Sequence, residues 1–324
     1  KRIGTMNYIL GNKIKSIEAP SEYSVIINLN KPSSSINGLL TSVNLTPISP
    51  TFYKEYSDKF LNEKFVGTGK YVLTSFSNEV QSIDPNLNYW GEKPLNKGIN
   101  FVGYSNSSSL FGALKSKQID VLLSNSIDDS QRNSLMNLSK NNKFREGTSP
   151  FTELSFISLK TSSYPLSNLN LRLALAKSLN RKLISKKVSY GLRKPSRSII
   201  PPILKKDKKE FWPKYDYVKA RKLLQKENYC NGNILKIPLT YRSNVPADKL
   251  IALIWQDEIK NSLKDCIDIE LNGVESTTVY KNLSLGIYTA VILDWTGAYS
   301  DPEAYLTPLL SCNEIVDGIC KKGE

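Results

Sequence analysis

The chain has 324 residues, and its 40% hydrophobic content with 17 Tyr, 10 Phe and 4 Trp is typical of a globular protein and argues against disorder. Its net charge of +14 invites comparison with nucleic-acid-binding proteins, but the lysines are scattered among carboxylates, and the densest cluster, residues 205–210, mixes both signs. There is no histidine, which removes the commonest general base and the commonest metal ligand.

The first part of the chain is predicted to contain hairpins with a few short helices. Strands alternate apolar and polar residues, and breaker residues separate them. In order, we predict strands at 13–18 and 23–29, a helix at 51–60, strands at 71–76, 80–84 and 99–104, a helix at 107–117, a strand at 119–123 and a surface helix at 128–142. The stretch Val66-Gly67-Thr68-Gly69 is rich in turn residues and is predicted to be a crossing between domains.

From about residue 150 the pattern changes to alternating strands and helices. We predict a strand at 153–159, helices at 169–188 and after Asp216, a strand at 234–241, a helix at 246–263, a strand at 267–271, a helix at 276–285, a strand at 288–293 and a helix opened by Asp301-Pro302. This β-α-β-α-β order implies a parallel sheet with right-handed crossovers.

The carboxyl ends of these parallel strands are the predicted binding edge, because open parallel sheets bind ligands there. Arg242 follows the first strand, Glu275 the second, and residues 295–300 the third. A guanidinium suits a carboxylate through two parallel hydrogen bonds, although Arg242 as a plain surface charge remains the alternative. Trp295 is predicted to be a pocket wall, with a core aromatic as the alternative.

The four cysteines stand at 230, 266, 312 and 320 without a Cys-x-x-Cys motif, which does not favour zinc. Two disulfides, and hence an oxidising compartment, suit an even number of well-spaced cysteines, while buried free thiols remain the alternative. Cys230 and Cys266 precede the first two of the predicted parallel strands, so if the two strands are neighbours, a bond between the cysteines would lie at the edge opposite the binding edge. Cys312 and Cys320 flank a short loop that their bond would close.

A set of short motifs runs in a fixed order along nearly the whole chain. These motifs are Val66-Gly67-Thr68-Gly69-Lys70-Tyr71, Asn88-Tyr89-Trp90-Gly91, Ile119-Asp120-Val121, Leu171-Arg172-Leu173-Ala174-Leu175-Ala176 with Asn180-Arg181, Ile200-Pro201-Pro202, and Trp295-Thr296-Gly297 with Asp301-Pro302. In order and spacing they resemble the bacterial extracellular solute-binding proteins of family 5, which include dipeptide-, oligopeptide- and nickel-binding proteins, and above all the dipeptide branch.

The resemblance implies an α/β, periplasmic-binding-protein-like (type II) fold of two lobes with a hinge, incomplete at both ends. Residues 1–65 resemble the end of an accessory subdomain of the first lobe, 66–147 the core of that lobe, and 148–324 most of the second lobe. Residues 66–69 would lie at the hinge. The implied function is to bind a peptide or peptide-like solute between the lobes and to deliver it to the permease of an ABC importer.

The same resemblance implies a monomer with no cofactor, no metal and no catalytic activity. The location would be periplasmic or extracytoplasmic, compatible with a signal or lipid anchor ahead of residue 1. A hydrolase using Asp and Ser groups and a basic module for nucleic acid or anionic surfaces are the alternatives. The hydrolase has no motif, since no Ser-His or Cys-His pair is available, and the scattered charges of mixed sign do not favour the basic module.

The ligand residues implied by the resemblance are Arg242 and the segment Trp295, Thr296, Gly297, Ala298 and Tyr299. In the dipeptide branch an Asp stands at the position of Ala298 and pairs with the peptide ammonium. We therefore expect a ligand whose amino end is absent, blocked or bound by another carboxylate, with Glu275 and Asp294 as the nearest. A local shift of alignment that puts Asp301 in this role is the alternative. Peptide, modified peptide, metal chelate and sugar all remain open as ligands.

Overall fold

The computed structural model describes residues 13–54, 65–123, 127–147, 149–205, 210–283, 285–316 and 319–323. Within them the strands are β1 (Ile14–Ser21), β2 (Ser24–Leu29), β3 (Tyr71–Phe76), β4 (Val80–Pro85), β5 (Ile99–Val102), β6 (Glu153–Leu159), β7 (Leu235–Arg242), β8 (Ile267–Val274), β9 (Ala290–Thr296), β10 (Cys312–Val316) and β11 (Ile319–Gly323). The α-helices are α1 (Ile36–Leu40), α2 (Pro50–Lys54), α3 (Ser107–Lys115), α4 (Asp129–Lys140), α5 (Leu169–Ser178), α6 (Arg181–Ser189), α7 (Tyr217–Lys226), α8 (Pro246–Ser262), α9 (Ser276–Leu283) and α10 (Glu303–Leu310).

The chain divides into two compact units, one made of residues 1–39 and 128–324 and the other of residues 40–127. The domain boundaries expected from the resemblance, at 65/66 and 147/148, follow a different criterion and stay predictions. In the smaller unit, β3, β4 and β5 form an antiparallel sheet in that order. The predicted hairpin at 71–84 is thereby confirmed, and so is the first hairpin, where β1 pairs with β2 in the larger unit.

The larger unit is built on a four-stranded sheet of order β6-β9-β7-β8. Strand β7 runs parallel to both β8 and β9, which confirms the predicted parallel sheet, while β6 pairs antiparallel with β9. Both faces of the sheet are covered, which explains its apolar strands. On one face Trp255 of α8 packs in the main core, where its indole N–H donates to Ser178 Oγ at 3.1 Å. On the other face Val279 of α9 packs against Val291 and Leu293.

Two predicted elements are wrong: one strand is absent, and one long helix is divided into two. The strand expected at 119–123 does not form: Val121 and Leu123 are exposed, and among the described strands none pairs with this segment. An apolar alternation makes a strand only where a neighbour supplies hydrogen bonds. The helix expected at 169–188 is two helices, α5 and α6, because Leu179 is extended and Asn180 caps α6 by accepting from Leu183 N at 3.1 Å.

Other helix predictions hold, with shifted ends. Asp216 caps α7 by accepting from Lys219 N at 2.9 Å, and Pro246 begins α8, both as predicted. For the helix expected at 51–60, α2 covers residues 50–54, and residues 55–64 lie outside the described part of the chain. The third parallel strand is displaced toward the carboxyl side, so Trp295 and Thr296 lie inside β9 and not beyond it.

The predicted Cys230–Cys266 disulfide is present. Cys230 stands before β7 and Cys266 directly before β8, so the bond joins the amino ends of two neighbouring parallel strands. Cys312, at the start of β10, is also disulfide-bonded. The side chain of Cys320 lies outside the described residues, so the predicted Cys312–Cys320 bond stays a prediction.

Candidate functional site

The carboxyl ends of β7, β8 and β9 come together at one edge of the larger unit's sheet, because the three strands are parallel. Arg242 is the last residue of β7 and pairs in register with Val274, the last residue of β8. The loops that follow are joined by Asn244, whose Oδ1 accepts from Ser276 N at 3.0 Å and whose amide donates to Glu275 Oε1 at 3.3 Å. In open parallel sheets this edge is where ligands bind.

Arg242 is buried, with only 4% of its surface exposed, and it is held inside the protein by two carboxylates. Its Nε and Nη2 donate to Asp248 Oδ2 and Oδ1 at 2.7 and 3.1 Å. Its Nη1 and Nη2 donate to Asp294 Oδ1 and Oδ2 at 3.0 and 2.7 Å, and Nη1 also donates to Tyr280 Oη at 2.7 Å. The guanidinium lies 5.9 Å from the centre of the Tyr280 ring. Arg242 therefore joins β7, α8, α9 and β9.

The electrostatics of this cluster keep Arg242 charged. Burial by itself lowers the pKa of Arg242, but the hydrogen bonds with Asp248 and Asp294 outweigh it and raise that pKa. Burial raises the pKa of the Asp248 carboxyl, and the hydrogen bonds from Arg242 act against this rise. A bidentate guanidinium–carboxylate contact is among the strongest hydrogen-bonded pairs in proteins, so the cluster fixes the end of β7 firmly.

Sequence reasoning missed Asp248 and Tyr280 as partners of Arg242. Asp248 stands in the first turn of α8, where an acidic residue is expected simply because it favours the positive end of the helix dipole. Its burial was the informative feature, and only the tertiary structure reveals it: 2% of Asp248 is exposed. The sequence signal available was weak: the residues three and four positions after Asp248 on the helix, Ile251 and Ala252, are apolar.

Two other carboxylates expected near this edge accept backbone N–H groups at the starts of helices. Glu275 Oε2 accepts from the backbone N–H groups of Thr277 and Thr278 at 2.8 and 3.3 Å, at the start of α9. Asp301 Oδ1 accepts from Glu303 N at 2.8 Å at the start of α10, but the N-cap residue is Pro302 and not Asp301, so the predicted cap is displaced by one residue. Both therefore satisfy backbone donors that a helix start leaves unpaired.

The segment after Asp294 mixes buried and exposed residues. Trp295 is half-buried, and its indole N–H donates to the Ala304 carbonyl at 2.8 Å, so it braces α10 against the sheet. Thr296 and Ala298 are exposed, whereas Tyr299 is 95% buried. The segment thus offers Thr296 and Ala298 to solvent while Trp295 and Tyr299 anchor it on either side.

Tyr299 belongs to a polar cluster around Glu303. Its hydroxyl donates to Glu303 Oε2 at 3.3 Å, and Ser35 donates to the same oxygen. Lys13 Nζ lies 2.6 Å from Glu303 Oε1. Burial raises the pKa of the Glu303 carboxyl, but the contacts with Lys13 and Ser35 outweigh this and lower it, while burial and the Glu303 charge raise the pKa of Tyr299. This cluster ties the segment before α10 to residues near α1.

Gly297 is required by close packing. A Cβ added there would lie 2.7 Å from Tyr305 Cε2 and 3.0 Å from Ala304 Cβ. The Tyr305 ring cannot move aside easily, because it is 98% buried and its hydroxyl donates to the Thr152 carbonyl at 2.6 Å.

We therefore expect Gly297→Ala to lower the free energy of unfolding by about 1–3 kcal/mol, the usual cost of overpacking. Urea unfolding would measure it. Gly147→Ala is the matched control, since a Cβ at Gly147 would meet nothing within 4 Å, and it should leave stability nearly unchanged. Equal stability of both variants would contradict the close packing at Gly297.

The residues predicted as a hinge, Val66, Gly67, Thr68 and Gly69, lie within the smaller unit, ahead of β3. Neither glycine has a positive φ, and a Cβ at Gly67 would meet only the Phe65 ring. Their hinge role stays a prediction.

Among the described residues no group of three or more His, Cys, Asp or Glu side chains is arranged to hold a metal ion. No helix in the described ranges is both long and apolar enough to cross a bilayer.

Comparison with known proteins identifies the relatives of this chain. The family model described as bacterial extracellular solute-binding proteins, family 5 Middle, matches residues 2–317. Heme-binding protein A of Haemophilus influenzae is 26% identical over 96% of this chain and 58% of its own length. The nickel-binding periplasmic protein of Escherichia coli is 26% identical over 81% of this chain and 52% of its own length. The chain thus spans little more than half the length of these relatives.

Solved structures give the same fold. The dipeptide-binding protein of Pseudoalteromonas sp. SM9913 in complex with Met-Leu has a TM-score of 0.78 at 20% identity, covering 95% of this chain and 61% of that one. The periplasmic binding protein DppA of Helicobacter pylori in complex with the peptide STSA has a TM-score of 0.75 at 23% identity, covering 93% and 57%. These likenesses confirm the predicted α/β fold of the type II periplasmic binding proteins.

Proposed function

Because the chain belongs to family 5 of the bacterial extracellular solute-binding proteins, we propose that it is the extracytoplasmic binding component of an ABC importer, which takes up a peptide or peptide-like solute and delivers it to the membrane permease. The observation that carries this proposal is the match of the family model to residues 2–317. The binding edge of the larger unit supports it, since that edge gathers polar side chains and the exposed Thr296 and Ala298 beside a buried scaffold.

A peptide is the ligand class we favour within the family. The relatives differ in what their names say they bind, since heme, nickel and peptides all occur among them. Structures of the same fold with TM-scores of 0.78, 0.76 and 0.75 hold Met-Leu, Fe(III)-EDTA and the peptide STSA, so two of these three hold short peptides. We infer that this protein acts as a periplasmic or extracytoplasmic monomer and as a binding protein, not an enzyme, since the relatives it resembles are named as binding proteins.

Thermal unfolding with short peptides tests the proposal. A ligand that binds only the native state at about 100 times its Kd adds about 2.7 kcal/mol to the free energy of unfolding. We therefore expect the Tm to rise with di- and tripeptides and not with the free amino acids they contain. Mass spectrometry of small molecules released on unfolding the purified protein should identify a peptide. Stabilisation by heme or a nickel chelate, with none by any peptide, would contradict this function.

A further inference from the structure

The guanidinium of Arg242 has no hydrogen left for a ligand. An arginine side chain has five N–H donors, and the five hydrogen bonds of Arg242 go to Asp248, Asp294 and Tyr280. A ligand carboxylate could be bound here only by breaking one of the two carboxylate contacts. The residue predicted to clamp an anionic ligand end is thus occupied by the protein's own anions.

The cluster as a whole carries excess negative charge. One guanidinium faces two carboxylates, and in the described part of the chain Arg242 is the only cation paired with Asp248 or Asp294. The two carboxylates differ in access, because the Asp248 side chain is 3% exposed and that of Asp294 is 34% exposed. A carboxylate has about four lone-pair sites, so Asp294 can accept from a further donor while it holds Arg242. The excess charge is therefore available to solvent at Asp294.

The other carboxylates near this edge are committed elsewhere. Glu275 and Asp301 accept backbone N–H groups at the starts of α9 and α10. Glu303 is paired with Lys13, which balances its charge. Ala298, in the position that the resemblance assigns to an amine-binding Asp, contributes a methyl group. Among the described residues of this edge, Asp294 is thus the accessible carboxylate that neither bonds to a helix start nor is paired with a lysine.

We propose that Asp294 binds a cationic group of the ligand, which in a peptide is the free ammonium, and that Arg242 positions Asp294 without contacting the ligand. This inference rests on the proposed function and names the chemistry of the ligand end. A buried or half-buried ammonium needs a carboxylate partner, since an unpaired charge in such a place is heavily penalised. The inference thus gives Asp294 the amine-binding role that the sequence left open between Glu275 and Asp294, and it removes from Arg242 the carboxylate-binding role that the resemblance implies.

Calorimetry with four forms of trialanine tests the inference: the free peptide, the N-acetylated, the C-amidated and the doubly blocked. N-acetylation removes the ammonium and should lower affinity by about ten-fold or more, the loss of one hydrogen bond to a charged group. C-amidation removes the carboxylate and should change affinity by less than about five-fold. In Asp294→Asn the preference for the free over the acetylated peptide should be lost.

Asp265→Asn is the matched control, because Asp265 also pairs with an arginine, Arg221, but it immediately precedes Cys266 at the opposite edge of the sheet. This variant should keep the full preference for the free amine. Equal binding of free and acetylated peptide, or loss on C-amidation alone, overturns the inference while leaving the proposed function intact. If no form of trialanine binds, and heme or a nickel chelate stabilises the protein while no peptide does, the proposed function fails and this inference falls with it. The comparison of peptide forms uses the wild-type protein, so it tests the inference even if Asp294→Asn does not fold.

Discussion

We expect Arg242→Met to lower the free energy of unfolding by about 3–5 kcal/mol, the usual cost of removing one partner of a buried ion pair. The change leaves the Asp248 and Asp294 carboxylates facing each other without the cation between them, and 2% of Asp248 is exposed. Urea unfolding followed by the fluorescence of buried Trp255 would measure the loss in the larger unit. A loss of this size would show that Arg242 stabilises the folded state.

The matched control is Arg221→Met. Arg221 also makes a bidentate contact, with Asp265, but the two side chains are 34% and 46% exposed, so this variant should lose at most about 1 kcal/mol. Adding Asp248→Asn to Arg242→Met should restore part of the stability, because it removes one unpaired carboxylate. Equal losses in the free energy of unfolding for Arg242→Met and Arg221→Met would contradict the claim that the buried contacts of Arg242 are the more stabilising.

The pH dependence of Arg242→Met has a definite sign. Burial raises the pKa of Asp248, and Arg242→Met removes the side-chain hydrogen bonds and the positive charge that act against that rise, leaving only the backbone hydrogen bond from residue 242. A folded-state pKa above the unfolded value means that the native state binds more protons, so stability falls as pH rises between the two values. The difference in the free energy of unfolding between wild type and Arg242→Met should therefore shrink as the pH is lowered from 7 toward about 4, the pKa of Asp in the unfolded chain.

The second large effect concerns the Cys230–Cys266 disulfide. The two cysteines are 36 residues apart, and closing a loop of that length in the unfolded chain is worth about 3–4 kcal/mol in the chain-entropy treatment. We expect the double variant Cys230→Ala/Cys266→Ala to lose about that much in urea unfolding under oxidising conditions. Alanine is preferable to serine, because Cys266 is fully buried and a hydroxyl there would need a partner.

A reductant supplies the control for this prediction. With both proteins reduced, neither has the cross-link, so the difference between wild type and the double variant should largely close. A gap of unchanged size after reduction would mean that packing of the two side chains, and not the cross-link, stabilises this end of the sheet. Because the bond lies at the amino ends of β7 and β8, peptide binding at the carboxyl edge should change little.

The sequence was informative about the order of elements and poor on side-chain partners. The β-α-β-α-β order follows from local periodicity and caps, so the parallel strands and their shared carboxyl edge could be predicted from it. The capping role of Asp216, and the bond of Asp301 at the start of α10, were accessible for the same reason, since such a side chain acts on residues two or three positions away.

The role of Arg242 could not be predicted in the same way. Its position at the end of a strand was correct, but its partners come from α8, α9 and β9, at sequence distances of 6, 38 and 52 residues. Nothing local distinguishes an arginine that awaits a ligand from one already saturated by the protein. The failed strand at 119–123 has the same origin, because a strand depends on a neighbour that the local pattern does not contain.

The antiparallel edge strand β6 has a consequence for synthesis of the chain. Glu153 pairs with Thr296 and Leu159 with Ala290, whereas β7 and β8 are close neighbours in sequence. At roughly 5–20 residues per second, the roughly 130–140 residues between the partners take on the order of 7–28 s to emerge from a ribosome. During that time β6 has no strand to pair with, and its apolar side chains and backbone groups are open to chaperones and to other nascent chains. The native sheet is completed only when β9 inserts between β6 and β7.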